Sequence, residues 1–275
     1  MVEQGPEIGR SVLAHGIRTN YLQEGNGEPV VLVHGSGPGV SAYANWRLTI
    51  PVRAQKFRVY APDMVGFGFT ERPAHIDYNM QTWTDQLIGF LDALGIEQAS
   101  LVGNSFGGAI ALHAADQHPQ RVNRLVLMGS VGVPFPITAG LDAVWGYEPS
   151  LESMSEIMDY FAYNKDLLTG DLAQARFTAS TAPGFHESYA AMFPAPRQRW
   201  VDAMVTPDES IAALRHQTLV VHGREDRVIP LSNAYRLLDL IPAAQLHVFG
   251  HCGHWTQIEK PAAFNDMVLR FLADS

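Results

Sequence analysis

Six short runs of apolar and β-branched residues recur along the chain and limit its possible folds more than any other feature. They cover residues 29–35, 57–63, 99–105, 124–129, 218–223 and 245–250. Runs of this length and character are typical of parallel strands buried on both faces. Helical patterns separate most of them, at residues 45–55, 80–94, 106–117, 232–240 and 261–272. The alternation predicts an α/β fold with a mostly parallel, doubly wound sheet.

The alternation fails once, between about residues 131 and 215, where helical stretches rich in Pro, Met and aromatic residues contain no convincing strand. We therefore predict a core domain of residues 1–131 and 216–275, interrupted by a helical lid at residues 132–215. The apolar residues of the insertion are spaced to share helix faces. They either cover the carboxyl ends of the strands or only pack the insertion onto the core. They are Leu141, Trp145, Met154, Ile157, Met158, Phe161 and Tyr163.

The composition excludes several classes of protein. A chain of 275 residues that is 47% hydrophobic can bury one large core. A net charge of −9 argues against nucleic acid as a partner. The single cysteine, Cys252, precludes an intramolecular disulfide and suits a reducing compartment. Neither a signal peptide nor an apolar run of transmembrane length is recognisable, so we expect a cytoplasmic protein without a membrane partner.

Ser105 lies in the sequence Gly103-Asn104-Ser105-Phe106-Gly107, at the end of one predicted strand and the start of one predicted helix. A nucleophile elbow needs this order, because the sharp turn strains the serine backbone and flanking glycines let strand and helix approach closely. The helix N-terminus also favours negative charge beside the serine oxygen. We expect Ser105 to be a nucleophile.

A serine hydroxyl needs a base that is oriented by an acid, in the chain order Ser, acid, His. Asp226 follows the predicted strand 218–223, and Glu225 is its rival. His254 lies in a glycine-rich loop after the last predicted strand, with His251 as the competing histidine. We predict the triad Ser105, Asp226 and His254, and expect Cys252 to be a packing residue.

The tetrahedral oxyanion needs two backbone donors. We expect one from the N–H of Phe106, directly after the nucleophile. The other should be the N–H of Ser36, in the glycine-rich loop that follows the strand 29–35.

The motifs around these residues resemble those of the meta-cleavage-product hydrolases of the α/β-hydrolase fold. Enzymes of this family break a carbon–carbon bond in ring-opened aromatic compounds. The resemblance runs over nearly the whole chain. It is densest in His34-Gly35-Ser36-Gly37-Pro38-Gly39-Val40-Ser41-Ala42-Tyr43-Ala44-Asn45-Trp46, Asp63-Met64-Val65-Gly66-Phe67-Gly68-Phe69-Thr70, Gly103-Asn104-Ser105-Phe106-Gly107-Gly108 and Cys252-Gly253-His254-Trp255-Thr256-Gln257.

The resemblance implies a 2-hydroxy-6-oxo-hexa-2,4-dienoate substrate, which is first ketonised and then cleaved to 2-hydroxypenta-2,4-dienoate and a carboxylic acid. The cleaving attack comes either from Ser105, giving an acyl-enzyme, or from activated water. By similarity Arg176 binds the carboxylate, although Arg197 and Arg199 are nearby in sequence, and arginine suits a bidentate carboxylate contact. Asn45 and Asn104 are expected to bind the neighbouring oxygens. The resemblance also implies that Trp255 lines the same subsite.

The resemblance also implies an apolar wall for the group on the acid side of the scissile bond, formed by Leu141, Trp145, Ile157, Phe161 and Val228. The indole and phenyl rings leave little room, so we expect the monocyclic branch of the family, whose substrates carry hydrogen or a small alkyl group. The segments Trp145-Gly146-Tyr147 and Met192-Phe193-Pro194 are similar to that branch.

Other functions share this fold and triad. The alternatives are a carboxylesterase, a cofactor-free haloperoxidase and a hydrolase-derived small-molecule receptor. We expect neither a metal nor a cofactor. A homo-oligomer, a dimer or larger, is expected by resemblance.

Overall fold

A computed structural model describes residues 5–273, and its eight strands form one sheet. The strand order is β1-β2-β4-β3-β5-β6-β7-β8. Strands β3 to β8 run parallel, whereas β2 is antiparallel to both β1 and β4. The expected fold class is confirmed. The strands are β1 (Arg10–Ala14), β2 (Ile17–Glu24), β3 (Pro29–Val33), β4 (Arg58–Pro62), β5 (Ala99–Asn104), β6 (Val122–Met128), β7 (Gln217–Gly223) and β8 (Ala244–Phe249).

Two strands were absent from the sequence prediction, and one was misjudged. Strands β1 and β2 form a hairpin that turns at His15 and Gly16, both with positive φ. Strand β1 is largely exposed, so it lacks the apolar run that marks a strand buried on both faces. Strand β8 was expected to be buried, but it is the edge of the sheet and only partly covered.

The sheet separates two apolar layers, because successive residues of a strand point to opposite faces. Val31 and Val33 of β3 pack in one layer, and Val30 and Leu32 pack in the other. Helices cover both layers. They are α1 (Ala42–Trp46), α2 (Ile50–Arg53), α3 (Met80–Ala93), α4 (Phe106–Gln117), α5 (Ala139–Trp145), α6 (Leu151–Phe161), α7 (Gly170–Ser180), α8 (Phe185–Met192), α9 (Gln198–Ala203), α10 (Asp208–Ala213), α11 (Leu231–Leu240), α12 (Thr256–Glu259) and α13 (Pro261–Ala273).

The prediction of one helix over residues 45–55 was wrong. The chain forms two short helices there, α1 and α2, and Pro51 lies in the first turn of the second. Proline has no N–H for the helical bond to the fourth preceding carbonyl, and its ring clashes with that carbonyl. A helix that continues from α1 therefore cannot pass through Pro51.

Helices α5 to α10 fill the stretch between β6 and β7, in which the described chain has no strand. Local caps start three of them: Thr138, Ser150 and Thr169 each accept a hydrogen bond from a backbone N–H of the first turn. The residues expected to form the apolar faces of the insertion are buried, except Tyr163, which is 43% exposed. None of the helices in residues 5–273 combines the length and apolar character needed to cross a membrane.

Asp63, directly after β4, connects three chain segments by hydrogen bonds. Its buried carboxylate accepts hydrogen bonds from Ala42 N (2.6 Å), Phe69 N (2.8 Å) and Asn20 Nδ2 (2.8 Å). Gly68 has a positive φ, and a Cβ there would collide with this carboxylate. Burial raises the pKa of Asp63 to about 6, although the three donors act in the opposite direction.

Replacing Asp63 with alanine should lower the free energy of unfolding by about 3 kcal/mol or more, because three donors lose their acceptor and two of them, Ala42 N and Asn20 Nδ2, are buried. Urea denaturation at neutral pH measures the loss. Asp239→Ala, on the exposed side of α11, is the matched control and should stay within about 0.5 kcal/mol of the unmodified protein. Equal stabilities of the two variants would contradict the assigned role.

Candidate active site

Ser105 occupies the turn between β5 and α4 with φ 56° and ψ −113°. A non-glycine residue rarely adopts such angles, and they cost free energy. Hydrogen bonds on both sides of the residue hold them: Ser105 N donates to Met128 O (2.8 Å), and Ser105 O accepts from Gly108 N (3.0 Å) and Val131 N (3.2 Å). The hydroxyl therefore sits at the N-terminus of a 12-residue helix.

The glycines beside the serine permit a close approach of backbone segments. A Cβ on Gly103 would collide with the carbonyl oxygen of Gly107. A Cβ on Gly107 would collide with that of Val33, at the end of β3. Because both positions lack a side chain, α4 packs directly against the ends of β3 and β5.

His254 and Asp226 are in direct contact. His254 Nδ1 lies 2.7 Å from Asp226 Oδ2, and Asp226 Oδ1 accepts from the backbone N–H groups of Val228 (2.8 Å) and Ile229 (2.9 Å). The carboxylate is fully buried and His254 nearly so. Ser105 and His254 line the same cavity, without a hydrogen bond between them in residues 5–273. Such bonds often form only when substrate is bound.

A second histidine, His222 at the end of β7, supports the acid and was missed from the sequence. Its Nε2 lies 3.4 Å from Asp226 Oδ2 and donates to Ile229 O (3.0 Å). Burial lowers the pKa of His222. Burial alone would raise the pKa of Asp226, but His254, and then His222, hold it below its ordinary value. Asp226 is therefore ionised at neutral pH and orients His254.

The rival residues from the sequence have other contacts. Glu225 accepts from Cys252 N (3.0 Å) and pairs with Arg224. His251 is exposed and contacts the hydroxyl of Tyr163 (3.0 Å). Burial raises the pKa of the Cys252 thiol to about 12, which keeps it protonated and unreactive.

His34 orients the loop that was expected to supply an oxyanion donor. Its Nε2 accepts from Met64 N (2.9 Å), so its Nδ1 carries the proton and donates to Gly35 O (2.8 Å). Burial lowers the pKa of His34 to about 4, which keeps the ring neutral. The C=O of Gly35 and the N–H of Ser36 belong to one planar trans peptide and point in opposite directions. Fixing the Gly35 carbonyl therefore fixes the direction of the Ser36 N–H.

The other expected donor, Phe106 N, opens α4, where the first backbone N–H groups lack partners within the helix. The Phe106 side chain points away from the site. It packs edge-on against Trp83, with ring centroids 4.6 Å apart, and beside Phe67.

Most of the predicted site residues converge on one cavity. Those that line it are Ser36, Asn45, Asn104, Ser105, Leu141, Ile157, Phe161, Arg176, Val228, His254 and Trp255. Sequence reasoning did not assign the lining residues Pro38, Val40, Val144, Met154 and Met158 to the site, although Met154 and Met158 were expected to be apolar residues of the insertion.

Trp145 was expected on the apolar wall, but it is not among the residues that line the cavity. Its indole is stacked on Phe193, with centroids 4.5 Å apart and planes 7° from parallel. The indole Nε1 donates to Ser36 Oγ (2.9 Å). The reason for the difference is this hydrogen bond, which holds the ring against the loop that contains Ser36.

Asn45 and Asn104 form a pair with unused hydrogen-bonding capacity. Asn45 Oδ1 accepts from Asn104 Nδ2 (2.9 Å) and from Gly35 N (3.3 Å). Asn45 Nδ2 and Asn104 Oδ1 are buried and have no partner within residues 5–273. The cavity wall thus offers one amide donor and one amide acceptor.

Arg176 places a cation on the cavity wall. Its guanidinium lies 5.5 Å from the centroid of the Trp255 ring and forms no direct ion pair with a carboxylate of residues 5–273, although the charge of Glu7 acts favourably on it. Burial, and then the charge of Arg47, lowers the pKa of Arg176 to about 10, so it remains charged at neutral pH. Arg197 instead pairs with Asp142 (3.3 Å), and Arg199 reaches Pro194 O at the surface.

Comparison with known proteins agrees with this geometry. The family model described as alpha/beta hydrolase fold matches residues 28–261. The chain is 59% identical to the 2-hydroxymuconate semialdehyde hydrolase of Pseudomonas sp. strain CF600 over 99% of this chain and 96% of that protein. It is 58% identical to the 2-hydroxy-6-oxo-2,4-heptadienoate hydrolase of Pseudomonas putida strain F1, over 99% of both.

Among solved structures, a serine-to-alanine variant of the meta-cleavage product hydrolase CumD of Pseudomonas fluorescens IP01, complexed with acetates, superposes with a TM-score of 0.96. It is 57% identical, over 97% of this chain and 98% of that one. The fold and the site define a serine-type α/β hydrolase. The chain belongs to the meta-cleavage-product hydrolases, the carbon–carbon bond hydrolases of that fold. The family expected from the sequence is confirmed.

The neutral state of His34 predicts a pH dependence of stability. Because its folded-state pKa is lowered from 6.5 to about 4, its contribution is complete above pH 6.5 and is lost as the pH falls through about 4. The His34→Gln variant keeps a donor and an acceptor but cannot titrate. Urea unfolding between about pH 7 and pH 4.5 should show a smaller loss of stability in this variant than in the unmodified protein.

The control for this comparison is His247→Gln, on the exposed edge strand β8, which should follow the unmodified protein. Parallel pH dependences of His34→Gln and the unmodified protein would contradict a buried neutral His34.

Proposed function

We propose that this chain hydrolyses the carbon–carbon bond of 2-hydroxy-6-oxo-hexa-2,4-dienoate-type substrates that carry a small group at C6. The observation that carries the proposal is the composition of one cavity wall. It joins Ser105 and His254 with the unpaired cation of Arg176 and the unused donor and acceptor of the Asn45–Asn104 pair. An esterase site needs the first pair only. A substrate with a carboxylate next to a hydroxyl or oxo group would use all of them.

The polar end of the substrate matches the residues that lack partners. The carboxylate binds Arg176, because a bidentate charged contact is stronger than a neutral hydrogen bond. A hydroxyl both donates and accepts, so the 2-hydroxy group can donate to Asn104 Oδ1 and accept from Asn45 Nδ2. Trp255 packs along the same subsite, where Arg176 already lies near its ring.

At the reacting end, Ser105, His254 and Asp226 act as the triad. Ketonisation moves a proton to the carbon that later leaves, so cleavage releases its electron pair into a conjugated enolate. Attack on the C6 carbonyl is assisted by His254, which accepts the proton of Ser105 or of water. The backbone N–H groups of Ser36 and Phe106 stabilise the oxyanion. The reaction consumes one water molecule, and its products are 2-hydroxypenta-2,4-dienoate and a carboxylic acid.

The group at C6 meets an apolar wall, which supports the monocyclic branch. Leu141, Ile157, Phe161 and Val228 line this wall, together with Met154 and Met158. Two relatives of high identity are named for a semialdehyde and a heptadienoate, whose C6 groups are hydrogen and methyl. We propose the same size class here. Trp145 contributes through Ser36 and not as a wall residue.

We also propose that residues 132–215 act as a lid over the carboxyl ends of the strands. The lid supplies Leu141, Ile157, Phe161 and Arg176 to the cavity, and the core supplies the triad. The homo-oligomer, the cytoplasmic location and the absence of nucleic-acid and membrane partners stay predictions. Light scattering coupled to gel filtration and cell fractionation test the first two.

The ring-fission products of catechol and 3-methylcatechol are yellow, so their hydrolysis is followed by loss of visible absorbance. We expect continuous bleaching with these two compounds and slower turnover with a phenyl substituent. Ser105→Ala should bind the same compounds but lose turnover by several orders of magnitude, as loss of a triad nucleophile does. Hydrolysis of p-nitrophenyl esters without bleaching would favour an esterase. A single stoichiometric loss of colour would favour a receptor.

Removal of the Arg176 guanidinium tests the carboxylate site separately. Arg176→Ala should raise KM for the dienoate by roughly 10- to 100-fold, since a charged hydrogen-bond pair contributes about 1.5–3 kcal/mol. Hydrolysis of p-nitrophenyl acetate, which has no carboxylate, should change little. Arg199→Ala, on the exposed face of the lid, is the matched control. Equal effects of Arg176→Ala on both substrates would refute the assignment.

A further inference from the structure

Ser36 is held from the lid side and not from the core. Its Oγ accepts a hydrogen bond from Trp145 Nε1 (2.9 Å), 109 residues away in the sequence. Its carbonyl oxygen accepts from Tyr189 Oη (3.1 Å), 153 residues away. The Ser36 N–H has no partner in the described part of the chain. Both oxygen acceptors of this residue are therefore bonded to lid helices, and its backbone N–H is left without a partner within residues 5–273.

Trp145 and Tyr189 both pack against a third ring, that of Phe193. Phe193 stacks on Trp145 and meets Tyr189 edge-on, with centroids 5.9 Å apart. The Tyr189 hydroxyl also contacts Val144 O (2.7 Å), so its one proton lies between a lid carbonyl and the Ser36 carbonyl. Trp145 and Tyr189 are both buried, and burial raises the pKa of Tyr189 well above its ordinary value, which keeps it a donor.

The loop that contains Ser36 touches the lid at a third place. Gly39 has a φ of 65°, and a Cβ there would lie 2.6 Å from Ser180 N and 3.0 Å from the Ala179 carbonyl carbon, in α7. Helices α5, α7 and α8 thus all touch the loop of residues 34–39. On the core side, His34 fixes only the peptide before Ser36.

We propose that Trp145 and Tyr189 are positioning residues that complete the oxyanion hole from the lid. By holding the hydroxyl and the carbonyl of Ser36, they keep its free N–H directed at the oxygen that develops negative charge. His34 sets the plane of the Gly35–Ser36 peptide from the core, and the docked lid holds Ser36 itself in place, so the oxyanion hole is complete only when both sets of contacts are made. The inference rests on the proposed role of the Ser36 N–H as an oxyanion donor.

The test uses a p-nitrophenyl alkylphosphonate, whose phosphorus is attacked by Ser105 while its phosphonyl oxygen takes the position of the oxyanion. One p-nitrophenolate leaves per labelled serine, so the labelling rate reports the nucleophile and the oxyanion hole without any carbon–carbon cleavage. Trp145→Phe and Tyr189→Phe should each lower this rate about 10- to 100-fold, less than complete removal of an oxyanion donor. Turnover of the dienoate should fall similarly, with KM within about twofold.

A double-mutant cycle separates positioning from packing. Ser36→Ala removes the acceptor of the indole bond, keeps the backbone N–H and leaves Trp145 in place. If the indole acts through Ser36, the Trp145→Phe and Ser36→Ala effects are not additive, and the double variant labels no slower than the slower single variant. Ser36→Ala also serves if Trp145→Phe does not fold.

The matched control is Tyr147→Phe. Tyr147 is also a buried lid tyrosine, but its hydroxyl contacts Ser180 Oγ (2.8 Å) and not the loop. The labelling rate of the Tyr147→Phe variant should stay within about twofold of the rate of the unmodified protein. Unchanged rates in Trp145→Phe and Tyr189→Phe, or additive effects in the cycle, would overturn the inference. An unmodified protein that is labelled but does not bleach dienoates would refute the proposed function and leave this test valid.

Discussion

The strained backbone of Ser105 is the constraint on which the rest of the site depends. Angles of this kind cost of order 1–3 kcal/mol and persist only where surrounding contacts enforce them. Here the enforcement comes from the bonds to Met128 and Val131 and from the contact of α4 with β3 and β5. Once the serine is at the carboxyl end of β5, the sheet order determines its neighbours. Strand β3 lies on one side, and β6, β7 and β8 follow on the other. The loops after β3, β7 and β8 therefore bring Ser36, Asp226 and His254 to the carboxyl ends of the parallel strands.

Charge is distributed unevenly among the buried groups. Asp226 is buried, but two histidines and two backbone N–H groups compensate it. Arg176 lines the cavity without a direct ion pair in the described residues, and only the charge of Glu7 acts favourably on it. A cation held at a cavity wall without a direct ion pair is better explained by an anionic ligand than by stability. The same reasoning applies to the unused amide groups of Asn45 and Asn104. These groups are the basis of the proposed subsite for an anionic, oxygenated substrate.

The elements that follow directly from a strand were predictable from the sequence. Ser105, Asp226 and His254 each come just after a recognisable apolar run, and the parallel sheet places those positions at one edge. The β1–β2 hairpin was not predictable in this way, because an exposed strand has no apolar run. The single helix expected before β4 ignored Pro51. The position of Trp145 was not predictable either, because its contact with Ser36 joins residues 109 apart and depends on how the insertion packs.

The insertion of residues 132–215 contacts the loop of Ser36 and the loop of His254, and this explains how loop segments can hold a defined geometry. Phe161 O, at the end of α6, accepts from His254 N (2.8 Å) and Trp255 N (3.3 Å). Glu259 joins the same two regions, because its carboxylate accepts from Gly253 N (2.7 Å) and Asn164 N (2.8 Å). On the opposite side, Trp145 and Tyr189 hold Ser36. Loops of an α/β sheet are mobile unless their backbone groups are bonded. In this protein the bonds come from the insertion that also lines the cavity, so the shape of the cavity and the positions of Ser36 and His254 are set by the same helices.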